Sequence, residues 1–231
     1  MTRAINDQPN VLLISIHDLN THLGCFGNPV VQSPNLDRLA ERGRLFQNHV
    51  CNYPLCGPSR ASLLTGRRPD STGVLDNLTW FRDTLPNAVT LPAHFKAHGY
   101  FTARQGTVFH GGMDDEAAWD VGGNFIGHRQ ARTPEEEKDR EARHDRFEPE
   151  ADAGAHDVQA ADWAVEMLEQ HHRRRFFITA GFSKPHVPLT APRRFFDLYD
   201  PADIELPPTD EAVEARLPKP ATRPNYDIFI R

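Results

Sequence analysis

No run of apolar residues in the chain approaches the ~20 that a membrane-spanning helix needs. Its first residues, MTRAINDQPN, hold no apolar stretch of the kind a secretion signal carries. The expectation from both absences is a soluble, intracellular protein. Cysteine is scarce: Cys25, Cys51 and Cys56 make an odd count of three, too sparse for a disulfide framework. Cys51 and Cys56 could form a local pair, or Cys56 could have a role of its own. Charge of one sign is also lacking. The 26 Lys and Arg against 32 Asp and Glu leave a net −6, which gives no electrostatic case for nucleic acid or an anionic membrane as partner. An anionic substrate would need a local basic site. Internal repeats are absent.

What is present suffices for one large domain: 231 residues, 39% apolar and 25% charged. The run VLLISI at 11–16 predicts a strand buried on both faces. Ser33 and Pro34 open a helix as N-cap and first helical residue, with Leu36, Leu39 and Ala40 as its buried stripe and Gly43 as its stop. Residues 45–50 read as a second strand. Residues 58–64 read as a helix closed by Gly66, 90–98 as another stopped by Gly99, and 100–104 as a strand. Residues 111–156, with TPEEEKDREARHDRFEPE at their centre, predict a solvated, charged insertion, most marked at about 125–156. Order returns at Asp157, where Val158, Ala161, Val165 and Leu168 mark a helix face. FFITA at 176–180 is a further buried strand, and a proline-rich tail follows.

Strands alternating with helices predict an α/β fold with a mainly parallel sheet, whose sites gather at the carboxyl ends of the strands. His17 and Asp18, Cys56, and Lys184 with His186 fall at such ends. The segment PLCGPSRASLLTG, residues 54–66, places Cys56 just before a predicted helix. Free N–H groups and the helix dipole favour negative charge there, and Arg60, one turn on, can point back to the same spot. Two readings stay open: an anion site with a nucleophile at its centre, or a buried cysteine beside a capping turn. A cysteine phosphatase would use a glycine-rich cradle ending in arginine. Here two prolines stiffen the segment, and Pro58 removes one N–H donor.

This segment resembles the signature of the type I sulfatases, Cys-x-Pro-Ser-Arg followed by Leu-Leu-Thr-Gly, with every defining position present. NVLLISIHDLNTHLGCFGNPVVQSPNLDRLAERGRLFQNHV, TGRRPDSTGV, QGTVFHGG and FSKPHVPL are similar to the family in order and spacing. The nearest branch is the iduronate-2-sulfatase-like group. The resemblance implies an alkaline-phosphatase-like sandwich around a mainly parallel central sheet, with 1–231 as an incomplete amino-terminal domain. It implies hydrolysis of sulfate esters, with a sulfated carbohydrate as substrate. It implies that a formylglycine-generating enzyme converts Cys56 to formylglycine. One hydroxyl of the hydrated aldehyde then attacks sulfur, and the other helps expel sulfate. Family members are often exported.

The resemblance also implies a divalent ion, Ca2+, held against residue 56 by an acidic pair after the first strand and an Asp-Asn or Asp-His pair downstream. Asp18 matches the second member of the first pair. His17 replaces the first and offers nitrogen, which tilts the preference toward softer ions. No Asp-His-Gly or Asp-Asn-Gly follows Pro185, so the chain is expected to stop short of the family's later strands and to show weak activity or none alone. His110 matches the histidine of a Gly-Lys-x-x-His motif, with Thr107 in place of the lysine. Lys184 and His186 match a Lys-Pro-His motif that contacts sulfate or protonates the leaving oxygen, work that suits histidine. Arg60 matches the arginine that fixes formylglycine and offsets developing charge. A structural loop role is the alternative for His110 and His186.

Other motifs read as structural. His171 to Arg175 complement the end of a helix. His94 and His98, at zinc-binding spacing, lack a third ligand. Cys25 reads as a packed thiol. Two rival functions stand beside the sulfatase reading: a metal-dependent phosphohydrolase of the same superfamily, and a non-catalytic truncated fragment that binds a sulfated ligand or a partner chain.

Overall fold

The computed structural model describes residues 8–122, 147–150, 156–204 and 216. Most of the expected charged insertion at 125–156, and the proline-rich tail beyond 204, lie outside the described residues. Strands are β1 (Val11–Ile16), β2 (Phe101–Gly106), β3 (Val121–Gly122), β4 (Phe147–Glu150), β5 (Phe176–Phe182) and β6 (Leu189–Pro192). Helices are α1 (Pro34–Arg42), α2 (Cys56–Thr65), α3 (Pro69–Thr72), α4 (Phe81–Thr84), α5 (Leu91–Ala97), α6 (His156–His171) and α7 (Arg193–Phe196). None of these helices is long and apolar enough to cross a membrane. The described residues fall into two compact units, one of 8–19, 46–122 and 156–185, the other of 20–45, 147–150 and 186–204.

The first unit is built on a parallel sheet in the order β1-β5-β2-β3. β5 lies between two strands and is buried along its length except at Phe182. That explains its unbroken FFITA run: both faces are covered. On one face Met167 of α6 packs with Phe101, Ala103 and Ile178. On the other, Phe177 stacks on Phe95 of α5 at 4.5 Å between ring centroids and joins a core that includes Leu64 and Trp119. In the second unit, β4 and β6 form a two-stranded parallel sheet. There Ser33 does stand at the head of α1, but its hydroxyl makes no cap. It accepts from Gly24 N (2.9 Å) and donates to Asp37 Oδ1 (2.9 Å), tying a loop to the helix.

Three sequence expectations change. β1 is not buried on both faces: Leu12 and Ile14 are 41% and 46% exposed, while Val11 and Leu13 pack on the core. Among the described residues it has one strand neighbour, and the face that carries Leu12 and Ile14 is open to solvent. Residues 45–50 form no strand, and Phe46 and Val50 are exposed. The polar Gln47, Asn48 and His49 interrupt that run, leaving no continuous apolar face to bury. In α6 the buried residues are Ala160, Ala164 and Met167, and Val165 is exposed. Two stripes of similar spacing lie side by side on this helix, and the one with small alanines lets it lie close on β2 and β5.

Candidate active site

The site grows from the carboxyl ends of three strands. The β1–β5 ladder runs one residue past β1: His17 N donates to Phe182 O at 3.0 Å. His17 is thereby buried, with its Nδ1 3.1 Å from Asp18 Oδ1. Asp18 takes a φ of 56°, a left-handed conformation that Asp tolerates better than most residues. This turn leaves its side chain half exposed.

On the other side of β5, Thr107 N donates to Gly181 O at 3.1 Å, and Thr107 Oγ1 lies 3.4 Å from Ser183 Oγ. The crossing is tight. A Cβ on Gly106, where φ is 75°, would sit 1.9 Å from Gly181 O, and one on Gly181 would sit 2.3 Å from Thr107 O. The loop that carries Lys184 is fixed by its backbone. Ser183 N and Lys184 N donate to the two carboxylate oxygens of Asp157 at 2.7 and 2.8 Å.

Helix α2 begins at Cys56 itself, two residues earlier than expected. Leu55 is the extended N-cap, and Ser59 N donates to Leu55 O at 3.0 Å. Pro58 costs no intrahelical bond, because N–H groups of a first turn have no such partner. Cys56 Sγ lies within 4.8 Å of a ring nitrogen of His17. Burial, and then the negative charge of Asp18, push the Cys56 thiol above its ordinary value and outweigh the opposing pull of Arg60. At this helix start the burial of the thiol outweighs the groups that favour its ionised form. All three cysteines are free thiols, so Cys51 and Cys56 do not pair.

Arg60 is buried, and its Nη1 donates to Thr107 O (2.9 Å) and Val108 O (2.8 Å). Burial pulls its guanidinium down from the ordinary value, opposed by the negative charge of Asp18 and by that of Cys56 once its thiol ionises. His110, half-buried, lines a small cavity with Gly57, Arg60, Phe109 and Met113. His186 opens the last segment of the second unit, where its Nδ1 lies 2.6 Å from Val187 O. The first unit thus brings His17, Asp18, Cys56 and Arg60 into mutual electrostatic reach and fixes the Lys184 backbone at the neighbouring strand end.

Three residues escaped the sequence reading. Asn77 Oδ1 accepts the N–H of Gly57 at 2.7 Å, directly after Cys56. Asp76 presents it through a turn, with Oδ1 accepting Leu78 N (2.9 Å) and Thr79 N (2.7 Å). The Asp-Asn pair is a turn signal, but its partner twenty residues away leaves no local trace. Asp157, read only as a helix start, holds the Lys184 loop.

As metal donors the first unit offers the imidazole of His17, the carboxylate of Asp18 and the group at position 56. This mixed set fits a divalent ion, with less bias toward a hard cation than an all-oxygen cage would have.

A family model for Sulfatase matches residues 9–224. The chain is 35% identical over 224 residues to a sulfatase of Formosa agariphila, covering 87% of this chain and 44% of that protein. It is 35% identical over 252 residues to Homo sapiens iduronate 2-sulfatase, covering 99% of this chain and 44% of that protein. The chain therefore spans less than half the length of these curated relatives. Among solved structures, Ps i-CgsB in complex with k-i-k-neocarrahexaose matches with a TM-score of 0.62 and 22% identity, over 85% of this chain and 49% of that one. The fold is accordingly the alkaline-phosphatase-like α/β architecture that the parallel sheet indicates.

Proposed function

The chain belongs to the sulfatase family, and on that premise we propose that it serves the hydrolysis of sulfate esters of a carbohydrate through a formylglycine made from Cys56. The observation that carries this reading is the placement of Cys56 at the first residue of α2, with its Sγ within 4.8 Å of a ring nitrogen of His17 and with burial raising its thiol above the ordinary value. A protonated thiol is a poor nucleophile. That supports Cys56 as the precursor of an oxygen nucleophile, supplied by a formylglycine-generating enzyme, over direct thiolate attack.

The net reaction adds water to the S–O bond, releasing an alcohol, sulfate and a proton. Arg60, fixed by two backbone carbonyls, keeps its cation beside position 56 and offsets negative charge that develops there. His110 and His186 move the proton to the leaving oxygen or hold sulfate oxygens, and Lys184 adds positive charge at the end of β5. Asp18 and His17, with residue 56, would hold the divalent ion, Ca2+ in this reading. When bound, such an ion supplies positive charge to the sulfate oxygens. The carbohydrate class draws support from the sugar acid in the human relative's name and the oligosaccharide in the i-CgsB complex.

The test is co-expression with a formylglycine-generating enzyme, followed by peptide mass spectrometry of residue 56 and turnover of aryl sulfate and aryl phosphate. The expected result is an aldehyde at 56, with any turnover confined to sulfate and abolished in Cys56→Ala. A thiol that stays unconverted, or a preference for phosphate, overturns the proposal.

A further inference from the structure

Far from Cys56, at the amino-terminal end of β5, five consecutive residues read His171-His172-Arg173-Arg174-Arg175. They close α6 and lead into β5. A helix terminus complementing its dipole would explain one or two of these charges, but not how the structure holds them. Arg173, Arg174 and Arg175 are exposed, and among the described residues none has a carboxylate partner. Their contacts are with neutral groups or aromatic rings. Arg173 Nε lies 3.3 Å from His172 Nε2, and Arg175 bonds the side-chain oxygen of Gln8.

The run is also anchored. The guanidinium of Arg174 sits 4.3 Å over the ring of Phe101, and the ring of His171 lies 4.1 Å from the same ring. Phe101 is the buried first residue of β2, and its N–H donates to Arg175 O at 3.0 Å. The end of α5, with His94 and His98, runs into β2 at the same edge. Lys96 there is already committed to Asp120 at 3.2 Å. The nearby carboxylates of α6 are Glu166, which accepts from Gln170, and the exposed Glu169. Among the described residues positive charge is therefore in excess at this edge, on a chain whose net charge is −6.

We propose that this edge is a second anion-binding surface, separate from the site at Cys56, that takes a sulfated polysaccharide chain. Planar guanidinium forks match the paired oxygens of sulfate and carboxylate. The edge does not suit the other polyanions. Phe101 and Phe176 are buried and offer no platform for a base. No exposed large apolar side chain lies between 169 and 178 to enter a bilayer. The choice of a sulfated sugar rests on the function proposed above. The seven residues of β5, at about 3.3 Å each, set the two ends of the strand roughly 20 Å apart. One polymer held at the edge raises the local concentration of its other sulfate esters at the site.

The experiment measures fluorescence anisotropy of a fluorescein-labelled, heparin-derived octasaccharide with the full 231-residue chain, at two salt concentrations. The double variant R173E/R175E leaves Arg174 on Phe101. It is expected to bind about tenfold weaker or worse, with a flatter salt dependence, at an unchanged melting temperature. The charge-matched R42E/R44E, on exposed arginines of the second unit, is expected to bind within about twofold of the native chain, since its charges lie outside the basic run. Cys56→Ala is expected to bind like the native chain, which separates this surface from the catalytic reading: either can fail alone. No binding by the native chain at low salt overturns the proposal. So does equal loss in R42E/R44E, or equal binding of the desulfated octasaccharide, single-stranded DNA or phosphatidylserine vesicles.

Discussion

Arg60 and Thr107 lie 47 positions apart in sequence, and the guanidinium of the first donates to the carbonyl oxygen of the second at 2.9 Å. The same nitrogen reaches Val108 O at 2.8 Å. One buried side chain thus joins the first turn of α2 to the segment that follows β2. Arg60→Ala would leave two carbonyl groups without this donor in a buried setting, at a cost of about 3 kcal/mol. Urea unfolding followed by circular dichroism should show that loss, with Arg60→Lys falling between the two. A native-like midpoint for the alanine variant would mean the guanidinium is not holding these segments together.

Asn77 does for Gly57 what Arg60 does for Thr107. Its side-chain oxygen takes the N–H that follows Cys56, and a Cβ on Gly57 would stand 2.8 Å from Asp76 O and 2.9 Å from Asn77 Oδ1. Asn77→Ala is expected to cost about 1 kcal/mol through the lost bond. Gly57→Ala should cost about 1–3 kcal/mol, because the turn must move aside. The pair of variants, compared by urea midpoints, distinguishes a lost bond from a steric push. Gly57→Ala at native stability would show that the turn at Asp76 and Asn77 is soft.

What could be read from sequence was what chain neighbours impose. Gly66 and Gly99 were legible as helix stops, and both take positive φ, 65° and 82°. The FFITA run was legible because a strand covered on both faces needs no polar alternation. The sequence pattern puts the start of α2 two residues late, because Pro58 looks like a first helical residue although the N-terminal turn accepts it further in. The apolar run of β1 does not reveal its burial, since such a run is the same string whether one face is covered or two. The partnerships of Asn77 with Gly57, and of Asp157 with the Lys184 loop, join residues 20 or more positions apart. Those distances arise only once the sheet has formed.

Cys56 carries a pH signature with a definite sign. A thiol in an unfolded chain ionises near about 8.5. In the folded chain burial and Asp18 move that ionisation to higher pH. The folded state therefore keeps a proton that the unfolded state gives up. Stability from this group is intact below about 8.5 and falls as pH climbs toward the folded value. Between about pH 8 and 10 the native chain should lose stability more steeply than Cys56→Ser. Alkylation of Cys56 by iodoacetamide at alkaline pH should be slower in the folded chain than in urea, read by peptide mass spectrometry. Faster alkylation in the folded state would contradict the assigned shift.

Leu12 and Ile14 of β1 turn their side chains to solvent, whereas Leu13 between them packs on the core. Replacing both exposed residues by threonine gives each position a β-branched side chain suited to a strand and leaves the backbone ladder to β5 untouched. The change should alter stability by no more than about 0.5 kcal/mol. Leu13→Thr, which removes packing, should cost about 1–2 kcal/mol. A strand with an open edge and apolar side chains facing water is a template for association. Light scattering on concentrated samples should therefore show less association for the Leu12→Thr, Ile14→Thr double variant than for the native chain. Equal scattering would assign association to the backbone edge alone, because the two side chains are the only difference between the proteins.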